Sequence, residues 1–67
     1  MQRIHFDLRE DEQSAWLPVD LLPGTSVGDQ VAVTSDLLPA ARIGTVVETV
    51  DDDQRGRFHR VSFEPDG

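Results

Sequence analysis

Asp20-Leu21-Leu22-Pro23-Gly24-Thr25-Ser26-Val27-Gly28-Asp29-Gln30-Val31 is followed, sixteen positions later, by Asp36-Leu37-Leu38-Pro39-Ala40-Ala41-Arg42-Ile43-Gly44-Thr45-Val46-Val47. Six of the twelve positions are identical, and Val27 is matched by Ile43. Each copy reads as a turn that launches a strand. Proline fixes φ, glycine serves a tight corner or a close backbone approach, and valines follow.

The second copy runs into Ile43 to Val50, where Ile43, Thr45, Val46, Val47, Thr49 and Val50 are all β-branched. Its apolar density predicts a central strand touched on both faces. The first copy runs into Gln30 to Thr34, a short strand with Val31 and Val33 facing inward. Upstream, Gln2 to Leu8 alternates, with Ile4, Phe6 and Leu8 on one side and Arg3, His5 and Asp7 on the other, as a half-buried strand does. Arg9 to Ser14 is a polar connection. Ala15 to Val19 carries Trp16, Leu17 and Val19, but Pro18 restricts it to an edge strand or an extended approach.

In the first loop, Asp20 to Gly28, Leu21 and Leu22 are expected to tuck against the barrel end. The second, Ser35 to Arg42, has room for no more than a short helical turn capped by Ser35 or Asp36. Asp51 to Gly56 reads as a hairpin loop. Arg57 to Glu64 returns as a strand with His59, Val61 and Phe63 on one face and Phe58 on the other. That parity break predicts a β-bulge or a bend at a barrel corner. Pro65-Asp66-Gly67 ends the pattern. Five short strands with Gly/Pro loops and no long helix predict one all-β domain over residues 1–67, a small five-stranded antiparallel SH3-like barrel. An oligonucleotide-binding-type barrel ranks second because it needs more residues.

Composition narrows the function. A chain of 67 residues buries only about 60% of the surface its unfolded form exposes, so about 3–5 kcal/mol of stability is expected without a staple. There is no cysteine, which excludes disulfides, thiolate metal sites and thiol redox chemistry. Stabilising help must come from a partner or from self-association. Met1 to Glu12 does not resemble a signal peptide and no apolar run approaches a membrane span, so a cytoplasmic protein is the expectation. Thirteen acidic residues against six arginines give a formal net charge of −7. That balance disfavours nonspecific binding to nucleic acid or anionic lipid.

From Val27 onward, Gly28-Asp29-Gln30-Val31-Ala32-Val33, Ile43-Gly44-Thr45-Val46-Val47-Glu48 and Arg60-Val61-Ser62-Phe63-Glu64 resemble a family of small bacterial SH3-like proteins of unknown function. That family shares a Gly-Asp-x-Val opening, a Leu-Pro loop, a Gly-Thr-Val-Val strand and a closing Val-x-Phe strand. A looser similarity extends to the photosystem I subunit IV barrel, the SH3-like domains of nitrile hydratase β subunits and KOW-type modules. The resemblance covers roughly 40 residues and licenses fold-level analogy alone. Several of these families are accessory or docking subunits, and the resemblance implies the same kind of role here.

The residues bear chemistry sparingly. Ser14, Ser26, Ser35 and Ser62 sit in no nucleophile turn, and a cleft of a few hundred cubic ångströms is hard to carve from so small a core, so no enzyme activity is expected. His5 and His59 fall on the first and last strands, expected neighbours, with Asp7 or Glu64 near enough in pattern to complete a nitrogen/oxygen metal site. No short ligand spacing supports it, and neither metal nor cofactor is expected. Arg55, Arg57 and Arg60, with Phe58 and His59 between them, form a basic and aromatic cluster suited to phosphate contact and base stacking. Asp51, Asp52 and Asp53 stand ready to neutralise it. Trp16, Leu37 and Leu38 are core residues on the plain reading and, if exposed, anchors for a partner protein. Glu10, Asp11 and Glu12 with Asp51, Asp52 and Asp53 supply an acidic face for a basic partner.

The expectation is therefore a non-enzymatic protein-docking module using Trp16, Leu37, Leu38, Arg57, Phe58 and Arg60. A KOW-type nucleic-acid module, or an acidic nucleic-acid mimic acting on a basic protein, are its alternatives.

Overall fold

A computed structural model describes residues 1–63 of the chain; the expected terminator at 65–67 lies outside them. Five strands follow in order, β1 (Gln2–His5), β2 (Ser14–Pro18), β3 (Gln30–Thr34), β4 (Arg42–Asp52) and β5 (Gly56–Ser62), with one 3-10 turn at Val19–Leu21. They join into one curled sheet in the spatial order β1-β3-β4-β5-β2. The small all-β barrel expected from the sequence is thus what the chain adopts, in the form of a half-barrel. Its concave face holds the core, in which Leu8, Leu17, Leu22, Val31, Val33 and Val61 are fully buried.

The sheet is mixed, not antiparallel throughout. β1 runs parallel to β3, with Gln2 opposite Val31 and His5 opposite Thr34. Parallel neighbours need a long crossover, and residues 6–29 supply it. Beyond β1, the Phe6 N–H still donates to the Thr34 carbonyl at 2.9 Å. Leu8 then drops into the core while its N–H donates to Ser35 Oγ at 3.2 Å. The chain thereby crosses the barrel end, and β2 emerges beside β5 instead of hairpinning back on β1. Alternation tells which face a residue occupies; it is silent on which strand lies alongside and in which direction.

β4 is the central strand, paired with β3 on one side and β5 on the other. It is not covered on both faces. Gly44 and Val46 point into the core, whereas Ile43, Val47 and Val50 are exposed. The reason is a bulge: the β4–β5 register shifts between Val46 and Glu48. Val47 is the extra residue, so the parity break read on β5 originates in β4. Gly44 also sits beneath two core side chains, Val61 and Phe63. A Cβ there would run into Val61 Cγ1 and lie 2.7 Å from the Phe63 ring, so only glycine lets those two core side chains lie against β4.

Both copies of the repeat do lead into strands, and in both the second leucine turns inward. Leu22 is fully buried and Leu38 packs partly against the core, while Leu21 and Leu37 remain exposed. The copies part at the glycine. Gly28 turns the chain before β3 with φ +97° and donates its N–H to the Val46 carbonyl at 2.8 Å; Gly44 lies inside β4. After β3 there is a turn without a helix, held by Ser35 Oγ accepting from the Leu37 N–H at 3.1 Å.

Candidate docking face on the outer side of the sheet

Strand register decides which of the candidate residues meet. Across β2, β5 and β4, Pro18, Phe58 and Val50 stand in one row, and Trp16, Arg60 and Glu48 in the next. Both rows lie on the outer face, because the alternate residues Leu17 and His59 are buried on the inner one. Trp16 is 48% exposed, and its ring, Val50 and Phe58 line an open concavity of about 300 Å³ with Asp52 and Arg55. A cleft of that size is therefore present, carved across three strands on the surface and not out of the core.

The charges around this groove are mostly matched. Arg60 donates from both Nε and Nη2 to Glu48 Oε2, each at 2.9 Å. Arg57 Nε lies 2.7 Å from Asp51 Oδ1, and this pair belongs with His59 and Thr49 on the other side of the ladder. The sequence cluster Arg57-Phe58-Arg60 is thus divided, with Phe58 and Arg60 outward and Arg57 on the opposite parity. Asp52 Oδ1 accepts the N–H groups of Gln54 at 2.8 Å and Arg55 at 3.0 Å, which closes the hairpin tip with Gly56 at φ +93°. Among the described residues the Arg55 guanidinium has no carboxylate partner, so it is the uncommitted cation of the groove.

The other candidates lie elsewhere. Leu37 is exposed on the turn after β3 and Leu38 leans on the core; neither lines the groove. The acidic residues do not make one face. Arg42, at the start of β4, holds the carbonyls of Glu10 and Glu12 through Nη1, and its guanidinium stacks 5.0 Å from the Phe63 ring centre. Asp51 and Asp52 are at the far end of the same strand, about 30 Å away for ten steps of extended chain. Glu10, Asp11 and Glu12 therefore mark one end of the half-barrel, and Asp51, Asp52 and Asp53 the other.

His5 and His59 are not neighbours either, since β3 and β4 separate their strands. His5 is exposed, with Nε2 3.7 Å from Asp36. His59 is buried, shares a 2.7 Å hydrogen bond with Thr49 Oγ1, and leaves Nε2 without a hydrogen-bond partner among the described residues. Glu64 lies outside the described residues. Among those described, no group of three or more His, Asp or Glu side chains is placed to hold a metal, and no helix is long and apolar enough to cross a membrane.

Sequence reasoning singled out Trp16 and Phe58 but not Pro18 and Val50 as their companions. The expected loop, Asp51 to Gly56, would set Val50 opposite Arg57; the turn is tighter, with Asp52 opposite Gly56, and that places Val50 opposite Phe58. The pairing of β2 with β5 carried no comparable signal. The chain matches no protein-family model, curated protein or solved structure.

Proposed function

We propose that this chain is a small, non-enzymatic docking module of SH3-like build that works in the cytoplasm by binding another protein through the outer face of β2, β5 and β4. The observation that carries the reading is Trp16. An indole half exposed on a sheet face, beside Phe58 and Val50 in an open groove, is the kind of aromatic anchor on which interface energy concentrates. Solvent exposure of such a set has an energetic cost that a partner would relieve. The net charge of −7 favours basic partners and fast, salt-sensitive encounter. Arg57 and Arg60 engage Asp51 and Glu48, which weakens the positive field that a nucleic acid would need.

The test is affinity capture from native lysate after nuclease treatment, comparing the parent chain with Trp16→Ala and Phe58→Ala. The expected result is a stoichiometric protein that survives nuclease and is lost with either substitution. Recovery of nucleic acid, or a partner indifferent to both substitutions, would refute the reading.

A further inference from the structure

The open sheet has two edges, β1 and β2, and they are not alike. β1 carries the exposed Arg3, a charge of the kind that discourages strand pairing. β2 is Ser14-Ala15-Trp16-Leu17-Pro18, without a charge, and its proline blocks the open edge only at the Pro18 end. The Phe63 N–H donates to the Gln13 carbonyl at 2.8 Å, which sets the phase of the ladder: Gln13, Ala15 and Leu17 bond to β5. In an antiparallel pair the residues between them turn their backbone groups the other way. Ser14 and Trp16 therefore present their N–H and C=O groups to the open edge, and none of these finds a partner among the described residues.

Carboxylates outnumber arginines at both ends of this edge, where Arg42 lies against the Glu10 and Glu12 carbonyls and Arg55 stands beside Asp52. Glu10, Asp11 and Glu12 precede it; Asp20 follows it, near the Asp52 and Asp53 end of the hairpin, since Pro18 lies opposite Phe58 and Phe58 opposite Val50. An uncharged strand with free backbone groups, a tryptophan on its outer face and carboxylates at both ends has one complement. We infer that β2 receives an extended segment of a partner protein as an added strand, with apolar or β-branched residues in its middle and Lys or Arg at its ends. The backbone of that segment pairs with Ser14 and Trp16, and its outward side chain packs on the indole. Its basic ends meet the two acidic ends of the edge. A second copy of the chain is a poor occupant, because it would bring together two molecules of charge −7.

This inference rests on the docking reading, and its test separates the two. A phage-displayed library of random peptides is selected on the full chain, and the enriched peptide is synthesised with and without a backbone N-methyl group at its centre. Ser14→Pro removes an N–H that faces the open edge, along with the Ser14 hydroxyl, and fixes φ at a value that edge strands tolerate; a thermal melt checks the fold. Enriched peptides should carry basic ends. Binding should weaken at least about tenfold on Ser14→Pro and on N-methylation, the worth of one or two backbone hydrogen bonds. Hydrogen exchange at the Ser14 and Trp16 amides should slow by at least about tenfold when the unmethylated peptide is bound. The N-methyl arm leaves the protein unaltered, so it decides the matter if Ser14→Pro unfolds.

Peptides that bind Ser14→Pro undiminished but are lost on Trp16→Ala would overturn strand addition and leave the docking reading standing. Enrichment of acidic or neutral peptides, or of none, would overturn the inference. So would a dimer of the chain that Ser14→Pro dissolves.

Discussion

Gly44→Ala is the sharpest test of how this sheet closes. The new methyl would run into Val61 Cγ1 and lie 2.7 Å from the Phe63 ring, and both side chains are buried in the core, so neither can swing into solvent. Overpacking of this kind costs about 1–3 kcal/mol. Replacing glycine also narrows the unfolded ensemble, which returns about 0.4–1 kcal/mol. The net loss is about 1–2 kcal/mol against the total of about 3–5 kcal/mol that so small a core supplies. In a domain of this size that lowers Tm by about 5–15 °C, readable by circular dichroism or calorimetry. The decisive measurement is a double-mutant cycle with Val61→Ala. If the methyl clashes with Val61, the two substitutions compensate and the double variant is more stable than the sum of the singles predicts. Strict additivity, or a Gly44→Ala chain that melts with the parent, would refute the account of Gly44.

Within the doubled loop, Leu22→Ala should cost about 3 kcal/mol, since Leu22 is fully buried, while Leu21→Ala should stay within about 0.5 kcal/mol; urea titration distinguishes them. Arg42→Lys keeps the charge but loses the fork that reaches the Glu10, Glu12 and Phe63 carbonyls. It should destabilise by about 1–2 kcal/mol, and hydrogen exchange should show the Glu12 amide, bonded to the Arg9 carbonyl, opening more often. His59→Phe removes a buried ring nitrogen with no partner among the described residues, and half-exposed Thr49 can turn its hydroxyl to water. Stability should rise by about 1 kcal/mol; a comparable fall in thermal denaturation would mean that Nε2 is held by a buried water.

Strand positions and inward residues were legible wherever alternation is regular. Gln30–Thr34 has the bounds expected of it, and Pro18 does end an edge strand, because a residue without an N–H cannot serve a ladder on both sides. The strand order was not legible. The β1–β3 pairing is accompanied by the Leu8 N–H donating to Ser35 Oγ and by Arg42 reaching the Glu10 and Glu12 carbonyls, contacts between residues about thirty positions apart that no local period encodes. His5 and His59 were expected side by side for the same reason, and two intervening strands separate them.

The misreading of β4 has a different origin, and it leads to the groove. Valines at 46, 47 and 50 occupy both parities, which in a regular strand means burial on both faces. With Val47 bulged out, parity changes once: Ile43 and Thr45 face outward before it, Glu48 and Val50 after it. The bulge therefore serves the core and the surface together. It brings Thr49 inward opposite His59, where the two side chains bond, and in the same step it turns Val50 outward opposite Phe58 and Glu48 outward opposite Arg60. Without that change of phase, Thr49 would take the outer position and Val50 would be buried. Trp16 and Phe58 would then have no apolar floor on β4, and Arg60 would have no carboxylate across from it. The extra residue that made the sequence pattern ambiguous is the one that assembles the outer groove.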